Sequence, residues 1–217
     1  MTRLAIFDLD RTLVRGSSLA ILGRALLGSG LVPARPVLAE LLRSRHYARR
    51  GEGAGQAEAV LTRLLSCARG RDVEPLTAAV AGAVDRVERE VYPTAARLLA
   101  LHRAAGDVCV VLSASPQELV EAVGRRLGAH IGIGTRPEVV DGRLTGRLVG
   151  PFCHGEGKLA RLREELGDLS LDGATAYADS ASDLPVLRAC GDPVAVNPDR
   201  GLAAVARRER WPVLRLQ

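Results

Sequence analysis

The chain has 217 residues and a formal net charge of +5, with 47% hydrophobic residues but only 3% aromatics. That length suits a core domain with a modest insertion, burying roughly 70% of the unfolded surface around Leu, Val, Ala and Ile. No apolar run approaches the ~20 residues of a membrane-spanning helix, and no basic–aromatic interleaving supports single-strand nucleic-acid binding.

Cys67, Cys109, Cys153 and Cys190 show neither zinc-ligand spacing nor the density of a disulfide framework. Met1 runs at once into a strand without a signal peptide, so a cytoplasmic protein with no stable membrane insertion is expected. Lys158 is the only lysine against an abundance of arginine, and it offers a compact point charge that arginine does not.

Leu4, Ala5, Ile6 and Phe7 read as a buried parallel strand, with Asp8 and Asp10 just beyond it. Helical spacing runs over 17–28 through Leu19, Leu22, Leu26 and Leu27. Pro33 and Pro36 open a further helical stretch to about Arg45. A Gly-rich loop at Gly51 to Gly55 precedes helical patterns near 56–68 and 72–90. Residues 15–90 therefore read as all-helical and without a strand, too long for a loop. Arg43, Arg45, Arg49 and Arg50 are expected to form a solvated helix face.

Pro93 starts the next helix and Gly106 ends it. Val108 to Leu112 form a continuous β-rich run, followed by a helix over 116–128 and a short strand from His130 to Ile133. Residues 138–149 form a hairpin turning at Asp141-Gly142. Helix 157–166, strand 174–178, helix 182–189, strand 193–196, helix 200–208 and a strand near 212–216 follow. This alternation predicts an α/β fold: a Rossmann-like parallel-sheet core (1–14 and 91–217) carrying an inserted all-helical cap subdomain (15–90).

Four polar stations fall at strand ends or helix starts. Asp8-x-Asp10-x-Thr12 follows the first strand. Ser113 follows Val110-Val111-Leu112, where a hydroxyl and helix N-terminal amides suit a phosphate. Lys158 opens a helix after Gly155 and Gly157. Asp179-Ser-Ala-Ser-Asp183 follows Thr175 to Ala178. Two acid clusters, one ammonium and one hydroxyl make a divalent-metal phosphate site. Gly155-Glu156-Gly157-Lys158 is not a P-loop, since Leu159 replaces the Ser/Thr and Phe152 the earlier Gly.

These stations, in order and context, resemble the haloacid dehalogenase-like superfamily of aspartate-nucleophile phosphohydrolases. The helical insert resembles the cap of its phosphoserine-phosphatase-like branch. The stretches Val140 to Gly146, Gly155 to Lys158, Tyr177 to Pro185 and Val196 to Pro198 are similar to a bacterial subgroup there. The resemblance implies Asp8 as the nucleophile that becomes an aspartyl-phosphate, and Asp10 as general acid and base. It implies Ser113 as phosphate ligand and Lys158 as the charge-offsetting cation. Mg²⁺ would be held by Asp8, the Asp10 carbonyl, Asp179 and Asp183.

Arg11 stands where the family commonly has Gly, and Ser182 where phosphoserine phosphatases have Asn. Both are candidate substrate contacts. No acid stands in Val14-Arg15-Gly16-Ser17-Ser18 to meet a substrate ammonium, so a less cationic or more anionic ester suits Arg11 and Arg15 better. The expected activity is a Mg²⁺-dependent phosphomonoesterase for a small phosphorylated metabolite, with no nucleic-acid partner. The alternative is a phosphotransferase or lipid-headgroup phosphatase using the insert's apolar and basic surface.

Overall fold

The computed structural model describes residues 3–27, 61–63, 65–167 and 169–217. The expected helix from Pro33 to Arg45, the loop from Gly51 to Gly55 and the Arg43–Arg50 charge run lie outside them. Strands are numbered β1 (Leu4–Asp8), β2 (Val108–Pro116), β3 (Ile131–Val140), β4 (Arg143–Val149), β5 (Thr175–Ala178), β6 (Asp192–Val196) and β7 (Val213–Leu214). The helices named below are α1 (Ser18–Leu26), α2 (Glu74–Arg89), α3 (Pro93–Ala104), α4 (Gln117–Leu127), α5 (Glu156–Leu166), α6 (Leu184–Ala189) and α7 (Arg200–Glu209).

The seven strands form one sheet in the order β4-β3-β2-β1-β5-β6-β7, parallel except for β4. The period-2 geometry of a strand sends alternate side chains of β1 to opposite faces. Ala5 and Phe7 join one apolar cluster with Leu99 of α3 and Leu119, Val120 and Val123 of α4. Leu4 and Ile6 join another with Leu162 of α5, Leu187 of α6 and Leu202 of α7. Both faces are thus covered, which is why β1 reads as an unbroken apolar run.

The third strand is longer than the sequence indicates. Residues expected as a short strand and a separate hairpin arm form one strand, β3. Its first part pairs with β2 through Val110↔Ile131 and Leu112↔Ile133, and its second part runs antiparallel to β4. Pro137, which cannot donate, sits at the irregularity between Pro137 and Val139, where the ladder shifts register.

Helices α1 and α2 bury Leu22, Leu26, Leu76, Val80, Val84 and Val87 in the same cluster as Phe7 and Val111. Where the chain leaves and re-enters the core, Tyr92 N–H donates to Leu13 O and Arg15 N–H to Glu90 O, each at 2.9 Å. A second tie is absent from the sequence reading. Gly70 N–H donates to Leu144 O (2.7 Å), Leu144 N–H to Arg71 O (2.9 Å) and Val73 N–H to Gly142 O (2.9 Å). This turn segment bridges to β4 at Asp72↔Arg143, so part of the region expected to be strandless covers the outer edge of β4. No helix among the described residues is long and apolar enough to cross a membrane.

Candidate active site

From β1 the sheet grows outward in both directions, to β2 and β3 on one side and to β5, β6 and β7 on the other. A reversal of this kind opens a crevice beyond the carboxyl ends of the central strands. Asp8 is the last residue of β1, level with Leu112 on β2. Ser113 therefore lies one residue further along the neighbouring strand. On the other flank β5 ends at Ala178, directly before Asp179. Asp183 closes the short 3₁₀ turn Ala181–Asp183 and stands directly before α6, its side chain making no capping bond there.

Lys158 comes from α5, and two glycines bring it there. Gly155 has φ +55° at the helix cap. A Cβ at Gly157 would stand 1.8 Å from the Phe152 carbonyl oxygen, so the close approach admits only glycine. The Lys158 Nζ donates to Asp8 Oδ1 and Asp183 Oδ1, both at 2.6 Å. Its side chain is 5% exposed and those of the two acids 9% and 4%. Burial acts to lower the ammonium's pKa, but the charges of Asp183 and Asp8 and their hydrogen bonds outweigh it and leave it raised. The cation therefore stays charged.

Asp8, Asp179 and Asp183 each offer a carboxylate oxygen within 4.8 Å of the others. Asp8 Oδ2 is buried without a hydrogen-bond partner. Among the described residues, Lys158 pairs with Asp8 and Asp183, and Arg11 with Asp179. A buried carboxylate oxygen left bare is costly. Three convergent hard oxygens form the donor set of a divalent cation such as Mg²⁺, so these residues fit that ion. Burial raises the Asp8 pKa, with the Lys158 charge opposing it. Burial and then the Asp8 charge push Asp179 up to about 8, with Arg11 opposing.

Asp10 turns its carboxylate elsewhere. Its Oδ1 accepts the Ser18 N–H at 2.6 Å, at the start of α1. The Ser18 hydroxyl in turn shares a 2.7 Å hydrogen bond with that of Ser115. Burial and the nearby Asp8 charge push Asp10 up to about 6, against the hydrogen bonds from Ser18. Ser113 is buried, and its Oγ accepts the Ser115 N–H at 3.2 Å. The hydroxyl proton remains available for donation.

The two residues that depart from the family pattern are both engaged. Arg11 adopts φ +61°, in the left-handed region, and its Nε lies 2.8 Å from Asp179 Oδ2. Ser182 Oγ donates to Ser180 Oγ at 3.1 Å and is not brought to the acids by that bond. Arg15 places its guanidinium over the Tyr92 ring, 5.0 Å from the centroid.

Supporting residues went unread in the sequence. Asp199 N–H donates to Asp179 O at 2.8 Å, and Asp199 Oδ2 accepts from Ser180 Oγ and Ala181 N–H. Its Oδ1 caps α7 through Leu202 N–H at 2.7 Å. The capping position before a helix was the one available signal. Thr135 Oγ1 donates to Ala114 O and accepts the Cys153 N–H, tying the segment before Lys158 to the end of β2. Ser18 carried no signal, since its partners lie 8 and 97 residues away.

Residues 5–188 match the family profile described as haloacid dehalogenase-like hydrolase. A probable phosphatase of Mycobacterium tuberculosis is 37% identical over 213 residues, 97% of this chain and 74% of that protein. A histidinol-phosphatase of Neisseria meningitidis serogroup C is 34% identical over 221 residues, 99% of both chains. A solved structure of unknown function from Bordetella pertussis superimposes with a TM-score of 0.83 at 30% identity, covering 99% of each chain. A substrate-bound phosphoserine phosphatase superimposes at 0.67 and 20% identity, covering 99% of this chain and 93% of that one, a likeness of fold. The family profile spans most of the chain, and a relative matched over 99% of both chains is 34% identical, so the chain belongs to the haloacid dehalogenase-like hydrolase family.

Proposed function

We propose that this phosphatase of the haloacid dehalogenase-like family hydrolyses a small phosphorylated metabolite through an aspartyl-phosphate on Asp8. The observation that carries the reading is the Lys158 ammonium, bonded at 2.6 Å to both Asp8 and Asp183 beside Asp179. An anionic nucleophile meeting an anionic ester needs that field: two unit charges ~4 Å apart interact by ~4 kcal/mol at an effective dielectric of ~20. Asp8, Asp179 and Asp183, with the Asp10 carbonyl, would hold Mg²⁺, which when bound offsets charge between carboxylate and phosphoryl group.

In this reading Asp8 attacks phosphorus and the ester oxygen leaves. Asp10, raised to about 6, carries the proton on Oδ2 while Oδ1 accepts from Ser18. It protonates the leaving oxygen, then removes a proton from the water that cleaves the acyl phosphate. Lys158 keeps its charge throughout. Ser113 accepts the Ser115 N–H and turns its hydroxyl proton to a phosphoryl oxygen. Segment 15–90 serves as the cap over 1–14 and 91–217, and Ser18 at its first helix holds the acid–base residue. A structure of like fold is a phospho-aspartyl intermediate analogue of phosphoserine phosphatase, which favours the covalent route.

The substrate class is open to a panel test: phosphoserine, histidinol phosphate, sugar phosphates and choline phosphate, with and without Mg²⁺. Mg²⁺-dependent release of phosphate from at least one soluble ester, lost in Asp8→Asn with the fold intact, supports the reading. Full turnover in Asp8→Asn refutes it. Release from lysophospholipid phosphates alone moves the assignment to lipid headgroups.

A further inference from the structure

The two cations in the acid cluster are built differently. Lys158 is 5% exposed at its side chain and bridges two acids. Arg11 is 48% exposed at its side chain, and its Nε stands 2.8 Å from one acid, Asp179, in an ion pair. Asp179 itself is 5% exposed at its side chain, and among the described residues Arg11 is its one ion-pair partner. Arg11 also occupies left-handed backbone at φ +61°, which a Cβ disfavours, so its side chain is directed by a constrained main chain.

Asp179 is at the same time one of the three acids whose oxygens converge. A carboxylate already paired with a guanidinium has its charge partly offset, and the guanidinium repels any dication that approaches. We infer that Arg11 and the divalent cation compete for Asp179. Arg11 is the counter-ion of this acid in the metal-free protein. Metal binding expels its guanidinium toward the solvent, where about half of the side chain already lies. Lys158 is the fixed cation of the site and Arg11 the exchangeable one. This rests on the reading that Asp8, Asp179 and Asp183 hold the metal.

The test uses the full chain stripped with EDTA and titrated with Mg²⁺. Calorimetry gives the affinity of the natural chain and of Arg11→Gln. Arg11→Gly, which the left-handed backbone accepts without strain, is carried in parallel as the variant expected to fold if Gln does not. A ¹H–¹⁵N spectrum of the arginine side chains identifies the Arg11 Nε–H by its loss in the variant. The expected result is an Arg11 Nε–H resonance that shifts as Mg²⁺ saturates and the guanidinium leaves Asp179. The variant binds Mg²⁺ about fivefold more tightly, the worth of a half-exposed ion pair. An unchanged Nε–H resonance at saturation overturns the inference even if the variant binds more tightly, since that gain is then a distant charge effect. Equal or weaker binding by the variant overturns it too. Absence of Mg²⁺ binding to both proteins overturns the metal reading and this inference together.

Discussion

Replacing Lys158 with Met tests whether one ammonium holds the acid cluster together. Methionine keeps most of the stem and removes the charge, so the cavity left behind is small. What remains is Asp8 and Asp183 in a site where Lys158 held each at 2.6 Å and neither side chain is more than 9% exposed. Breaking a buried pair by removing one partner costs about 3–5 kcal/mol, because the surviving charge is uncompensated. Protonation sets a ceiling per acid: neutralising a carboxylate of unfolded pKa 3.8 at about pH 7.5 costs about 5 kcal/mol. Urea unfolding in EDTA should therefore show Lys158→Met less stable by about 3–5 kcal/mol. Adding Asp183→Asn should recover about 1–3 kcal/mol, because it deletes a charge that has lost its partner. A loss below about 1 kcal/mol, or a further loss on adding Asp183→Asn, would refute the reasoning.

Three further outcomes follow from the same geometry. Asp199→Ala removes the α7 cap and the acceptor for Ser180 and Ala181. It should cost about 1–3 kcal/mol in denaturant melts and weaken Mg²⁺ binding through the loosened Asp179 segment; unchanged Mg²⁺ affinity would separate the loop from the site. Gly157→Ala forces a Cβ into the Phe152 carbonyl. A destabilisation of about 1–3 kcal/mol or more is expected, whereas a neutral melt would show that α5 starts differently. Asp10 and Asp179 have folded pKa values raised to about 6 and about 8 from 3.8, so folding takes up protons. In EDTA their contribution is complete below about pH 4 and is lost as pH rises through about 6 and then about 8. Metal-free melts should weaken over that window and saturating Mg²⁺ should flatten the slope; a rising metal-free stability would contradict the shifts.

The acids and the lysine were legible because each sits where chain pattern and chemistry coincide. Asp8 ends an unbroken apolar strand, Asp179 follows another, and Lys158 follows two glycines whose close packing explains their spacing. Those signals are local, and the doubly covered sheet follows from the same alternation of strands and helices. What escaped depends on contacts distant in sequence. Nothing near Ser18 announces that it bonds to Asp10 and Ser115 together. Nothing in Gly70 to Val73, too short to alternate, announces that it pairs with β4. The continuity of β3 was hidden by Pro137, a residue that argues against a strand unless a register shift frees it from donating. Arg11 could be flagged as an odd residue, but its partner, Asp179, lies on another strand end.

The account turns on Asp8 becoming phosphorylated. Acid quenching during turnover of an accepted ester with Mg²⁺, followed by proteolysis and mass spectrometry, tests this directly. The prediction is one phosphoryl group on the peptide carrying Asp8, removed by hydroxylamine and absent from Asp8→Asn. Phosphorylation at another residue, or rapid phosphate release by Asp8→Asn, would contradict it.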